Sequence, residues 1–210
     1  MIGTYVKLNV FYVVQTNRYG MAGANPSFGE SHLIRALLEI SGGRASRNKL
    51  VERLGVGEGS VRTILKRLAD NGLVSSTNAG HSLTDAGEKQ VSSHLEKFSK
   101  PDVFSANDMI LGGENAFIIV KGASDKLSAS ALAERDTALK AGADTAVILV
   151  VRDGRIQFPS GGVDVEDYPE TLKELENKEL GDGDVVVIAS SSRMPKSQDA
   201  LIEVALKICA

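Results

Sequence analysis

Val61, Ile64, Leu65 and Leu68 recur at i, i+3, i+4 and i+7, the spacing that gathers side chains on one stripe of a helix. Opposite them fall Gly59, Thr63, Lys66 and Asp70, with Ser60, Arg62 and Arg67 on the flanks. Reversal signals bracket this helix, which the pattern predicts over about 57–71. Upstream, Ser46 is a good N-cap for a short helix whose Leu50, Val51 and Leu54 face inward, and Gly55 supplies the left-handed residue at its end. Downstream, Asn71-Gly72 stops the helix, and residues 73–77 and 81–83 flank Asn78-Ala79-Gly80 as the arms of a hairpin. Leu33, Ile34, Leu37 and Leu38 add a helix over 31–41, ended by Gly42-Gly43.

Two short amphipathic helices meeting at a glycine turn, followed by a hairpin, read as a helix-turn-helix with a wing. Such a unit presents its second helix to the major groove of DNA. Aliphatic residues lock that helix to its neighbours while donors and cations face out. Arg62 and Arg67 have the chemistry to bond a guanine edge or a phosphate, Ser60 and Thr63 to donate to either, and Lys66 to pair with phosphate. Gly57 and Gly59 let backbone N–H groups approach a phosphate, whereas the charge of Glu58 counts against it. Ser46 and Arg47 are placed to clamp the backbone, and Asn78 and His81 to reach a flanking groove from the wing. The competing reading of these side chains is a solvated helix surface, and for His81 a structural role.

Charge distribution supports the first reading. The net charge of −3 alone argues against a polyanionic partner. Residues 1–100, however, carry 13 Lys/Arg against 8 Asp/Glu, and residues 101–210 carry 11 against 19. Within 44–67 there are 7 basic and 2 acidic residues, so the positive excess of the first half sits inside the predicted DNA-binding unit.

Thr84 caps a further helix in which Val91, Leu95 and Phe98 recur at helical spacing. Residues 99–115, with Pro101 and Gly112-Gly113, lack a sustained period and read as a linker. Beyond them strands (116–121, 145–151, 155–158, 185–189) alternate with helices (128–142, 169–180, 196–208), which argues an α/β sandwich with some parallel pairing. Gly161-Gly162 reads as a turn. The expected fold is therefore an α+β winged helix-turn-helix domain followed by a small α/β sandwich domain. Its divisions are an extension (1–29), the DNA-binding domain (30–98), the linker (99–115) and the α/β domain (116–210). The apolar run 5–14 is too short to span a membrane and reads as a strand, unless translation starts at Met21. The single cysteine, Cys209, excludes an internal disulfide and fits the reducing cytoplasm.

The segment LVERLGVGEGSVRTILKRLADNGLV followed by LTDAGEK resembles the winged helix-turn-helix regulators of archaea and bacteria, in which LT-x-x-G opens the helix after the wing. The whole chain is similar to small archaeal proteins that join this domain to an uncharacterised α/β domain. The resemblance implies a homodimer acting on two-fold operators in double-stranded DNA.

Residues 116–210 contain no phosphate-binding loop, nucleophile elbow, HExxH or paired Cys/His spacing, so no catalytic residue, metal or cofactor is expected. The best ligand site there is Ser190, Ser191, Ser192 and Arg193 with Lys196, a loop between a strand and a helix start with the chemistry to hold a small anionic metabolite. The plain alternative is helix capping. The charged edge formed by Arg135, Asp136 and Lys140 is a second candidate. A transcriptional regulator whose acidic domain dimerises or senses a metabolite is the leading expectation. The alternative is an enzyme with a regulatory winged helix, like the archaeal riboflavin kinases or the biotin ligases; a winged helix used only for protein contact fits the basic excess poorly.

Overall fold

The computed structural model describes residues 28–110, 112–161 and 163–210. The strand expected at 5–14, the alternative start at Met21 and most of the extension 1–29 lie outside the described residues. The chain divides into two compact units, Met1–Glu88 and Lys89–Ala210.

The first unit holds helices α1 (Glu30–Ser41), α2 (Arg47–Leu54) and α3 (Glu58–Asp70) and strands β1 (Val74–Thr77) and β2 (Gly80–Leu83). Each boundary has a local cause. Ser46 Oγ accepts from Lys49 N at 3.2 Å to start α2, and Gly55 ends it at φ 68°. Leu33, Ile34 and Leu37 of α1, Leu50 and Leu54 of α2, and Val61, Ile64 and Leu68 of α3 are all buried. Each such side chain contributes roughly 1.5–3 kcal/mol by leaving water. β1 and β2 pair antiparallel from Val74↔Leu83 to Thr77↔Gly80. Ala45, between α1 and α2, adds to the hairpin by exchanging backbone hydrogen bonds with His81 at 2.9 and 3.0 Å.

The LT-x-x-G segment acquires a physical meaning here. Thr84 Oγ1 donates to Gly72 O at 2.6 Å and accepts from Gly87 N at 3.1 Å. It thereby fixes the end of α3 and the start of α4 (Asp85–Leu95) together. A Cβ on Gly87 would lie 2.1 Å from Leu73 O, so this position admits no side chain. The division between units falls within α4.

The second unit is built on strands β3 (Asp102–Val103), β4 (Glu114–Val120), β5 (Thr145–Arg152), β6 (Arg155–Gln157) and β7 (Val185–Ser191), with helices α5 (Leu132–Lys140), α6 (Pro169–Glu176) and α7 (Met194–Cys209). The sheet order is β3-β4-β7-β5-β6 and every neighbouring pair is antiparallel. The parallel pairing expected of an α/β sandwich is thus corrected. β4 and β5 do run parallel, as their helical crossover requires, but β7 is inserted between them and opposes both, with Ile118↔Val187↔Ile148 in register. The chain is a mixed α+β protein, with helices in the first unit and an antiparallel sheet domain in the second.

Both faces of that sheet are covered, so β7 is buried along its whole length. Phe117, Leu149, Val186 and Ile188 pack on one face with Phe104, Ala106, Ile110, Val165 and Leu175. On the other, α7 lies against β4 and β7, and α5 against β5 and α7. The expected linker 99–115 is therefore corrected as well. Its residues 102–103 form the edge strand, and Phe104, Ala106 and Ile110 are core. Two carboxylates bolt this segment to α6. Asp108 accepts from Glu170 N at 2.7 Å and from Thr171 Oγ1 at 2.7 Å, while Glu174 accepts from Ser105 N and Ala106 N at 2.9 and 2.7 Å.

Candidate nucleic-acid interface

Helix α3 divides as its spacing predicts. Val61, Ile64, Leu65 and Leu68 are buried, and Gly59, Arg62, Thr63 and Lys66 are exposed. Thr63 Oγ1 donates to Gly59 O at 3.0 Å, a bond within the helix that leaves its oxygen able to accept. Ser60 is half-buried. The open space above Gly59, where a Cβ would meet nothing within 4 Å, leaves backbone exposed on the outer face of the first turn.

The arginines are not equivalent. Glu58 Oε1 lies 3.3 Å from Arg62 Nη2 and 3.6 Å from Arg47 Nη1, so one carboxylate draws together the start of α2 and the outer face of α3. The Arg62 and Glu58 side chains remain 68% and 58% exposed, so these pairs are weak and exchangeable. In the sequence Glu58 complements the helix dipole and repels a nearby phosphate; its pairing with two cations depends on how the turn between α2 and α3 folds. Arg67 is half-buried and its guanidinium lies over the Phe28 ring, 5.0 Å from the centroid.

Ser46 is exposed, but its hydroxyl oxygen caps α2. On the hairpin, Asn78 sits exposed at the tip. His81 faces Ser76 across the strands, with Nδ1 2.8 Å from Ser76 Oγ. Partial burial, then the Arg47 charge, lowers its pKa from the ordinary histidine value, so the ring is neutral at physiological pH. Of the cations named as candidates, Arg47, Arg62 and Lys66 are exposed and Arg67 is half-buried.

The serine segment is arranged differently from its expected role. Ser190 and Ser191 belong to β7 and are buried. Ser190 Oγ donates to Gly112 O at 2.7 Å; Ser191 Oγ lies 2.9 Å from Ser197 Oγ and accepts from Arg193 N at 3.3 Å. The start of α7 already has its anion, because Glu114 Oε2 accepts from Met194 N at 2.7 Å. Of the residues named for an anion site, Ser190 and Ser191 belong to this buried hydrogen-bond network, while Ser192, Arg193 and Lys196 lie on the surface beside it.

Arg135, Asp136 and Lys140 are exposed on α5. A separate open groove of about 780 Å³ runs beside β6 and is lined by Arg155, Gln157, Asp164, Glu166 and Glu176 among others. No sequence signal marked it, since its lining comes from short segments without a shared period. Among the described residues no three His, Cys, Asp or Glu side chains gather as a metal site needs, and no helix is long and apolar enough to cross a membrane.

Comparison with known proteins gives the chain its relatives. The PH0730-like N-terminal domain matches residues 36–89, and a domain of unknown function, DUF4443, matches residues 111–208. No curated protein matches. A solved structure described as hypothetical protein PH0730 from Pyrococcus horikoshii OT3 is 31% identical, with a TM-score of 0.73 over 85% of this chain and 91% of that one. Two domain matches in the same order and this near-full-length likeness agree: the chain belongs to the PH0730-like family.

Proposed function

We propose that this protein is a sequence-specific DNA-binding regulator of transcription whose first unit is a winged helix-turn-helix. In this reading α3 enters the major groove and the β1–β2 hairpin is the wing. One observation carries it: α3 is locked by four buried aliphatic side chains while Gly59, Arg62, Thr63 and Lys66 stand exposed opposite them. Arg47 at the start of α2 and Asn78 at the hairpin tip extend the same chemistry toward flanking phosphates. The antiparallel sheet domain then serves as the partner-binding half of a cytoplasmic homodimer.

Selection of bound sequences from a random duplex pool at physiological salt tests the proposal. A regulator returns a two-fold consensus, and its affinity falls steeply with added salt as phosphate contacts release counterions. Failure to enrich any sequence, together with salt-independent or absent binding, overturns it.

A further inference from the structure

Helix α5 is inside out. Its Glu134 is buried at 3% exposure, while Leu132 and Leu139 are 60% and 39% exposed. The inward glutamate is satisfied locally: its carboxylate accepts from Ser128 N at 3.3 Å and lies 3.7 Å from Lys207 Nζ on α7. α5 packs against α7 and β5, so its orientation is fixed and the leucines are committed to the outer face. Leu132 and Leu139, at i and i+7, form one exposed apolar stripe along the helix.

The charges around that stripe say what covers it. At 3.6 residues per turn Leu132 and Leu139 lie about 20° apart, and Arg135 and Asp136 stand about 50° to either side of their midline. Opposite charges therefore flank one apolar stripe at nearly the same height. A two-fold axis running parallel to the helix places Leu132 against its own copy, Leu139 against its own copy, and each Arg135 against the Asp136 of the other chain. An antiparallel arrangement would oppose Arg135 to Arg135 and Asp136 to Asp136, which like-charge repulsion disfavours.

We propose that the exposed face of α5 is a self-association surface, and that its occupant is the α5 of a second copy of this chain running parallel to it. The assignment stands apart from DNA binding. A nine-residue helix covers little area, so the contact belongs to the weak class of interfaces. Duplex carrying two half-sites would strengthen it by raising the effective concentration of one chain at the other.

Sedimentation equilibrium of the full chain, from low micromolar to near-millimolar concentration without DNA, tests the surface. The wild type is expected to be in monomer–dimer exchange. Leu132→Glu and, separately, Arg135→Asp each weaken self-association by about tenfold or more, because each places like charge or an unpaired charge at the contact. The double exchange Arg135→Asp with Asp136→Arg restores it, which a merely structural role for either residue would not do. Circular dichroism and melting temperature confirm that each variant is folded, and Arg135→Asp serves alone if Leu132→Glu is not. A wild type that stays monomeric throughout overturns the proposal. So does a dimer indifferent to both single variants, or one that the charge exchange fails to restore.

Discussion

The Arg67 guanidinium rests over the face of Phe28, 5.0 Å from the ring centroid. That contact makes Arg67 a part of the first unit's packing, in contrast to Arg62 five residues earlier, whose exposed end pairs with Glu58. Replacing Arg67 with alanine should lower the stability of the unit by about 1 kcal/mol through the lost cation–π contact. Arg62→Ala should leave the melting temperature nearly unchanged and cost roughly 1–3 kcal/mol of DNA affinity if it reads a base. Thermal melts and binding isotherms on the two variants separate the roles. A large melting loss for Arg62→Ala, or none for Arg67→Ala, would reverse this assignment.

Glu58 restrains two cations with one carboxylate oxygen. Glu58→Gln removes the charge at almost constant shape, which under the proposed DNA-binding role releases Arg47 and Arg62 toward phosphate. Affinity for random duplex should rise several-fold, and the plot of log affinity against log salt should steepen by about 1–2 phosphate contacts. Discrimination between preferred and random sequences should shrink accordingly. Titration at several salt concentrations measures both, and unchanged slope and affinity would mean that the exposed pairs hold nothing back.

His94 provides a pH dependence in the second unit. Its ring packs on Phe98 with centroids 5.5 Å apart, and burial, then the Lys97 charge, depresses its pKa to about 4. The unfolded chain binds the proton near the ordinary value of about 6.5, so the folded state loses ground as pH falls below that point and the loss levels off near 4. The full difference is on the order of 3 kcal/mol. Asp108 and Glu134, whose burial is outweighed by hydrogen bonds that hold their carboxyls below the usual range, add to the loss in acid. Urea unfolding at steps between neutral and acid pH checks this, and His94→Gln should flatten the limb between pH 6.5 and 4.

Gly87 has no room for a methyl group, since its Cβ would meet Leu73 O at 2.1 Å and Leu83 Cδ2 at 3.3 Å. Gly87→Ala should destabilise the first unit by about 3 kcal/mol, more than the ordinary surface substitution in a helix. A fluorescence or calorimetric melt decides it. Ala86→Gly next to it, at an exposed position, should cost only about 1 kcal/mol.

What could be read from the residues alone follows from how much of each signal is local. Helix α3 buries one stripe and exposes the other, so its period survives in the sequence, and Gly55, Gly72 and Thr84 mark their own turns. Strand β7 is covered on both faces, so VVVIA carries no period and says nothing of its neighbours' direction. Phe104, Ala106 and Ile110 reach the core from an irregular segment held by Asp108 and Glu174 to a helix more than sixty residues later. Serine hydroxyls look alike in a sequence whether they point to a ligand or, as Ser191 does, to Ser197. The arginine candidates were legible as a set; only geometry sorts Arg67 from Arg47 and Arg62.

The middle strand of the sheet is the last to be synthesised. Until residues 185–191 leave the ribosome, β4 and β5 have no common partner and each keeps an unsatisfied edge. The unit ahead of them ends at Glu88, before either strand is made. A nascent chain therefore holds every residue of its first unit before it holds the strand that joins the two halves of its sheet.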